Sequence, residues 1–236
     1  MARSGESVGD LIKKGDVFDE KFQPTEALKF YLPAEKMEPK NVGLLLRIAR
    51  QYRHQMADAT DPAKKMKLGN MGKAYALCAT GLAPNEPEAH LSVAISYAKM
   101  SPLLDKKAQL EASKEVKTEV DQTLALDPKK DLAWHLLGCW HQRLADVGTV
   151  KRTLARLVYG KVPAATNDEA VSCFQQAIKL NPNRLIHHIE LGRTYAQMGK
   201  KAEARECIEK GLAMPNVGKD DPDAKERGRA TLATIK

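Results

Sequence analysis

The sequence predicts an all-α chain, an α-solenoid of about five helical hairpins closed by a C-terminal capping helix. Two observations carry that reading. Aromatic residues make up only 5% of the 236 residues, against 43% hydrophobic and 29% charged. This is a soluble composition, short of the aromatic side chains on which β-sandwiches rely. Prolines also recur at Pro39, Pro84, Pro128 and Pro182, each ahead of a stretch with helical apolar spacing. The residue before a proline is pushed out of the α region, so each marks the end of one helix and the approach to the next.

The best-preserved unit lies near the C-terminus. Leu191, Gly192, Thr194, Tyr195, Gly199, Ala204 and Ile208 follow the order of the tetratricopeptide (TPR) pattern, W-x2-L-G-x2-Y then A-x3-F then P. Ala170, Phe174, Ala177 and Pro182 supply the second-helix half of the unit before it. Six residues beyond each proline falls the place of the consensus Trp, occupied by Leu45, His90, Trp134 and His188. Walking back from Pro39, Ala34, Tyr31 and Ala27 fill second-helix places, with Gly15, Leu11 and Phe18 in the helix before. The expected organisation is one superhelical domain over 1–236, with TPR-like hairpins at about 6–37, 41–82, 87–126, 131–180 and 185–214.

The units are uneven. The second and third are long, predicting extended hairpins with bends near Asp61-Pro62 and Ser101-Pro102. In the fourth, an insert at 148–166 sets Val150, Leu154, Leu157 and Val158 at helical spacing against Lys151, Arg152 and Arg156, predicting an amphipathic helix that stops at Gly160. Asp221-Pro222-Asp223 then announces the cap, 221–234, through an N-cap, a first-turn proline and an acidic first turn. Repeat stacks need such a cap with a polar outer face.

Catalytic classes find no support. There is no glycine-rich phosphate loop, HExxH or GxSxG, so no enzyme, cofactor or metal site is expected. In Cys139-Trp140-His141 the neighbouring residues of one helix point in different directions, which does not suit a nucleophile and its base. His187 and His188 read as packing residues, with His188 in the consensus aromatic place. No apolar run approaches the roughly 18 residues of a membrane span, and the start shows no leader pattern. Cys78, Cys139, Cys173 and Cys207 are scattered, as in free thiols of a reducing, cytoplasmic compartment.

The net charge of +8 and isoelectric point near 9.2 imply attraction to polyanions. Basic clusters include Lys64 and Lys65, Lys106 and Lys107, and Lys151, Arg152 and Arg156, mostly at hairpin tips and in inserts. The tips lack the aromatics that stack nucleic-acid bases, so no nucleic acid is expected, and acidic protein tails or anionic lipid headgroups are favoured. Aligning the first helices places Leu46, Arg50, Leu91, Ile95, His135, Ile189 and Arg193 inward, with Arg53 and Arg143 a turn later. No Lys/Asn set for clamping a terminal carboxylate is among them. Leaving the aliphatic members wet would forgo roughly 1.5–3 kcal/mol each. An acyl chain, a partner's amphipathic helix or the chain's own last helix would cover them.

A narrower resemblance rests on words: Pro163-Ala-Ala-Thr-Asn-Asp-Glu-Ala170, Leu180-Asn-Pro-Asn183, Leu191-Gly-Arg-Thr-Tyr195 with Gly199-Lys200, and Asp221-Pro-Asp-Ala-Lys225, together with Tyr159-Gly160 and the helix of Trp134 and Trp140. The chain resembles the regulator of microtubule dynamics family, most strongly from about Asp131 onward. The resemblance implies a cytosol-facing helical-repeat domain associated with microtubules, and, in a member tethered to mitochondria, with organelle contacts and phospholipid binding. The expectation is therefore a non-enzymatic, microtubule-associated scaffold that meets acidic tubulin tails, cytoplasmic, on the cytoskeleton or on the cytosolic face of an organelle. A phospholipid-binding module with an arginine-lined groove and a peptide-binding adaptor are the alternatives.

Overall fold

A computed structural model describes residues 6–146 and 165–235. Among them are eleven α-helices and no strand. The chain divides into two compact units, Met1–Leu126 and Asp127–Lys236.

The first unit holds three hairpins: α1 (Val8–Asp19) with α2 (Pro24–Met37), α3 (Val42–Asp58) with α4 (Pro62–Leu82), and α5 (Pro87–Met100) with α6 (Lys106–Leu126). The helix starts follow from local chemistry. Ser7 and Asp10 form a reciprocal capping box on α1, and the side chains of Asn41 and Asp61 accept backbone N–H groups at the heads of α3 and α4. Asp61-Pro62 and Ser101-Pro102 turn out to be the turns between arms. Pro62 opens α4, and Ser101–Leu103 is a 3-10 turn after α5, so the extra length of these hairpins lies in the arms themselves. The α1–α2 turn closes with Gln23 N–H on the Phe18 carbonyl and Phe22 N–H on that of Asp19, the Schellman pattern. It holds Phe22 at φ 54°. The α1–α3 core gathers Leu11, Ala27, Leu28, Tyr31, Leu44, Ile48 and Tyr52.

The second unit pairs α7 (Asp131–Ala145) with α8 (Asn167–Leu180) and α9 (Leu185–Gln197) with α10 (Lys201–Ala213), and α11 (Asp221–Thr234) packs on α9 and α10. Thr166 and Glu169 form a second capping box on α8. The arms meet closely where the side chain is missing. A Cβ at Gly138 would stand 2.8 Å from the Phe174 ring, and one at Gly192 would stand 2.6 Å from Ile208 Cγ1 and 2.8 Å from the Ala204 carbonyl oxygen. Leu185, Ile189 and Ile208 form a core that Ala224 of α11 completes. The five hairpins and the cap are thus those of a TPR-like solenoid. The amphipathic insert helix and its stop at Gly160 lie outside the described residues.

A single device recurs at the hairpin starts. Glu38, Ala83 and Asn181, each preceding a proline, leave the helix at nearly the same φ and ψ, −131° and 73°, −137° and 75°, −144° and 83°. Six residues on, a ring N–H reaches back to a proline carbonyl: His90 Nε2 to Pro84 at 2.8 Å, Trp134 Nε1 to Pro128 at 2.9 Å and His188 Nε2 to Pro182 at 2.9 Å. A carbonyl only accepts, so Nε2 of each imidazole is the donor in this contact. Leu45, in the same place after Pro39, has no donor to offer.

Candidate protein-binding face

The inward residues read from the sequence divide sharply by burial. In the first unit Leu46 is half-buried against the cluster of Leu45, Ala79 and Ala89, and Ile95 is half-buried. Leu91 is only 1% exposed, so it belongs to the interior and not to a groove wall. α5 is a central helix covered nearly all round, burying His90, Leu91, Ser92, Val93 and Ala94 in succession, so no wet face remains for Leu91 to line. Ile189 in the second unit needs the same correction. It is fully buried, and α11 lies over it.

The arginines divide too. Arg50 pairs with Asp19 of α1, while its neighbour Arg47 pairs with Asp16 at 2.8 Å. Arg53 is buried, donating to the Ser92 hydroxyl at 2.7 Å. Arg193 is ion-paired with Glu190 at 2.5 Å, and Arg143 is exposed. Of the basic clusters, Lys64, Lys106 and Lys107 are exposed and Lys65 is half-buried. Lys151, Arg152 and Arg156 lie outside the described residues.

Two groupings escaped the sequence reading. The first surrounds Glu190 on α9, whose side chain is only 4% exposed. Arg193 donates to one of its oxygens, and Arg227 of α11 grips the other with Nε at 3.2 Å and Nη2 at 3.1 Å. The i, i+3 spacing of Glu190 and Arg193 hints at half of this in the sequence, whereas Arg227 joins only through the docking of α11.

The second is a part-buried series of polar contacts between α7 and α9. Asp131 Oδ2 takes N–H groups from Arg184 at 2.9 Å, Asn181 at 3.0 Å and His187 Nε2 at 3.1 Å. His187 Nδ1 meets His135 Nδ1 at 3.1 Å, and His135 Nε2 meets Cys139 Sγ at 3.6 Å. Burial raises the Asp131 carboxyl, but the bond from His187 and the charge of Arg184 outweigh it and hold it at about 2. Burial keeps His135 well below the ordinary imidazole range, reinforced by the charges on the His187 side and by Arg227 and Arg184, and keeps His187 below that range too. With both rings neutral, each proton has one place. His187 donates to Asp131, His135 donates to His187, and the thiol donates to His135. Burial, with the Glu190 charge next, pushes the Cys139 thiol up to about 12. The series has the membership of a thiol, imidazole and carboxylate triad, but its thiol keeps its proton and is no nucleophile at neutral pH.

Among the described residues no helix is long and apolar enough to cross a membrane. The family model for regulator of microtubule dynamics proteins 1-3 matches residues 11–236. The chain belongs to this family. It is 26% identical over 178 residues to regulator of microtubule dynamics protein 1 of Caenorhabditis elegans, covering 75% of this chain and 78% of that protein. With regulator of microtubule dynamics protein 2 of Rattus norvegicus it shares 22% identity over 198 residues, 84% of this chain and 48% of that one. The chain therefore spans about half the length of such larger family members. In structure it is similar to a thermophilic TPR protein of Thermus thermophilus, with a TM-score of 0.65 at 15% identity over 96% of this chain and 100% of that one. A MamA protein gives 0.53 at 16%, over 92% and 94%. At these identities the likeness speaks for the fold, a TPR solenoid.

Proposed function

We propose that this family member is a non-enzymatic binding scaffold that associates with microtubules, meeting the acidic tails of tubulin with cationic side chains. Membership of the family over nearly the whole chain carries the reading. Lys64, Lys106 and Lys107 stand exposed, and the excess of basic over acidic residues gives the chain a net charge of +8, the sign an acidic tail requires. The protonated Cys139 thiol, the residue in the series best suited to attack a substrate, favours binding over catalysis. On this reading the protein works in the cytoplasm, on the cytoskeleton or at the cytosolic face of an organelle. The amphiphile alternative is weakened because Leu91 and Ile189, two of the walls it needs, are interior residues.

Cosedimentation with polymerised tubulin tests the proposal. The chain is expected in the pellet at low ionic strength and progressively in the supernatant as salt is raised, because exposed charges are screened beyond about 10 Å at 0.1 M. A chain that stays in the supernatant at low salt is no microtubule scaffold, and the peptide-adaptor reading then takes its place.

A further inference from the structure

Two guanidinium groups converge on one carboxylate in the second unit, and a third stands on the helix packed beside it. Arg193 comes from α9 and Arg227 from α11. Arg143 lies on α7 one turn beyond Cys139 and next to Gln142, whose amide donates to the Glu190 carbonyl at 3.3 Å and to the Thr194 hydroxyl at 3.0 Å. The positive charge of all three reaches the Cys139 thiol. Glu190 is the carboxylate, nearly buried and held by Arg193 and Arg227. Among the described residues Glu190 is the one carboxylate bonded to any of these three cations. Arg143 is exposed and makes no ion pair among the described residues. Arg193 and Arg227 keep side-chain exposures of 29% and 46%, and each guanidinium has five N–H donors, of which Glu190 takes one from Arg193 and two from Arg227.

We propose that the face built by α7, α9 and α11 is a docking site for an acidic peptide segment, which Arg143, Arg193 and Arg227 grip through its side-chain carboxylates. This rests on the reading of the chain as a protein-binding scaffold and moves the decisive contacts away from the lysine-bearing hairpin tips. Glu190 already displays the mode of capture, since Arg227 aims two N–H groups at one of its carboxylate oxygens while Arg193 holds the other. A lipid would need an apolar slot beside the cations. The aliphatic residues that could line one here, Leu185 and Ile189, are fully buried in the core that α11 completes. Glu190 also competes with the incoming carboxylates, so its removal should strengthen binding, an effect that damage to the fold would not produce.

The test is fluorescence anisotropy of a labelled Glu-rich peptide, with its Gln-substituted twin as control, on the full chain. Arg143→Glu, at an exposed position, is expected to weaken binding by about tenfold or more through charge reversal at the contact. Glu190→Gln is expected to tighten it severalfold, and Lys106→Glu with Lys107→Glu in the first unit to leave it within about twofold. Affinity unmoved by Arg143→Glu and Glu190→Gln overturns the site. So does a wild-type chain that ignores the peptide yet floats with phosphatidic-acid vesicles through Arg143, which would make the face a membrane contact. The readout needs no microtubules. A chain that fails to sediment with them but binds the peptide through Arg143 loses only the function proposed above, and one that sediments while its peptide affinity ignores Arg143→Glu loses only this face.

Discussion

Trp134 donates its indole N–H to the carbonyl of Pro128 at 2.9 Å, fastening the turn that precedes α7 to the helix it introduces. His90 and His188 make the same closure with smaller rings. The tie satisfies a carbonyl in a turn that a proline keeps out of helical pairing.

Trp134→Phe keeps the ring and deletes the donor. It is expected to destabilise the second unit by about 0.5–1.5 kcal/mol, the net worth of one such hydrogen bond. Urea unfolding followed by circular dichroism measures this, and an unchanged midpoint would mean that water replaces the indole at no cost.

Gly192→Ala places a methyl 2.8 Å from the Ala204 carbonyl oxygen and 3.0 Å from the Ile208 amide nitrogen. Backbone atoms of a packed helix cannot swing aside, so α9 and α10 must separate, at an expected cost of about 1–3 kcal/mol. Gly81 in α4 meets nothing within 4 Å, and Gly81→Ala is expected to raise stability by up to about 1 kcal/mol through helix propensity. Thermal melts of the two variants should move in opposite directions. A Gly192→Ala melt equal to wild type would contradict the close approach of these helices.

Acid should weaken the fold in two stages. Burial lowers the affinity of His135 and His187 for protons relative to the value of 6.5 expected in the unfolded chain. Below that pH the unfolded state takes up protons that the folded state refuses, so stability falls as pH drops through 6.5, by up to about 1.4 kcal/mol per pH unit for each imidazole. Asp131, held at about 2 against an ordinary 3.8, adds a second loss between those values. Urea midpoints at pH 7, 6 and 5 give the slope, and His135→Phe is expected to make it shallower by about one proton. A midpoint independent of pH over that interval would show that these rings are not held neutral.

Arg227→Ala leaves Glu190 with Arg193 alone and removes the main polar tie between α11 and α9. Amide hydrogens of 221–234 are expected to exchange faster than in wild type while those of α7 change little, since local opening follows the loss of local contacts. Exchange that rises equally across the second unit would place Arg227 in the global stability of the unit and not in the docking of its last helix.

The legible and illegible parts of this molecule separate on physical lines. Hairpin starts could be read because the device that sets them is local: a proline, a pre-proline turn and a ring six residues later lie in one short stretch. Close approaches could be read because Gly138 and Gly192 stand in the small-residue places of a repeat. Leu91 and Ile189 were misplaced because a consensus register assigns one open side to each first helix. α5 is enclosed by its neighbours, and α9 is overlaid by α11. Glu190 with Arg227, and Asp131 with His187, are 37 and 56 residues apart. Such pairs become visible only when the stacking of particular helices is known.

The substantial helix contacts within each unit join neighbours or next neighbours along the chain, as in α3 with α4 and α9 with α11. Little loop has to close before a contact is rewarded, so the search for the folded state is short and either unit can begin it. During synthesis, α1 and α2 can pair before α3 has left the ribosome. Each emerging hairpin then finds its docking surface already built. The last helix is the exception. Ile189 and Glu190 wait uncovered until Ala224 and Arg227 have been made, which leaves the α9 face of the nascent chain open to premature partners for longer than a face covered by the next helix.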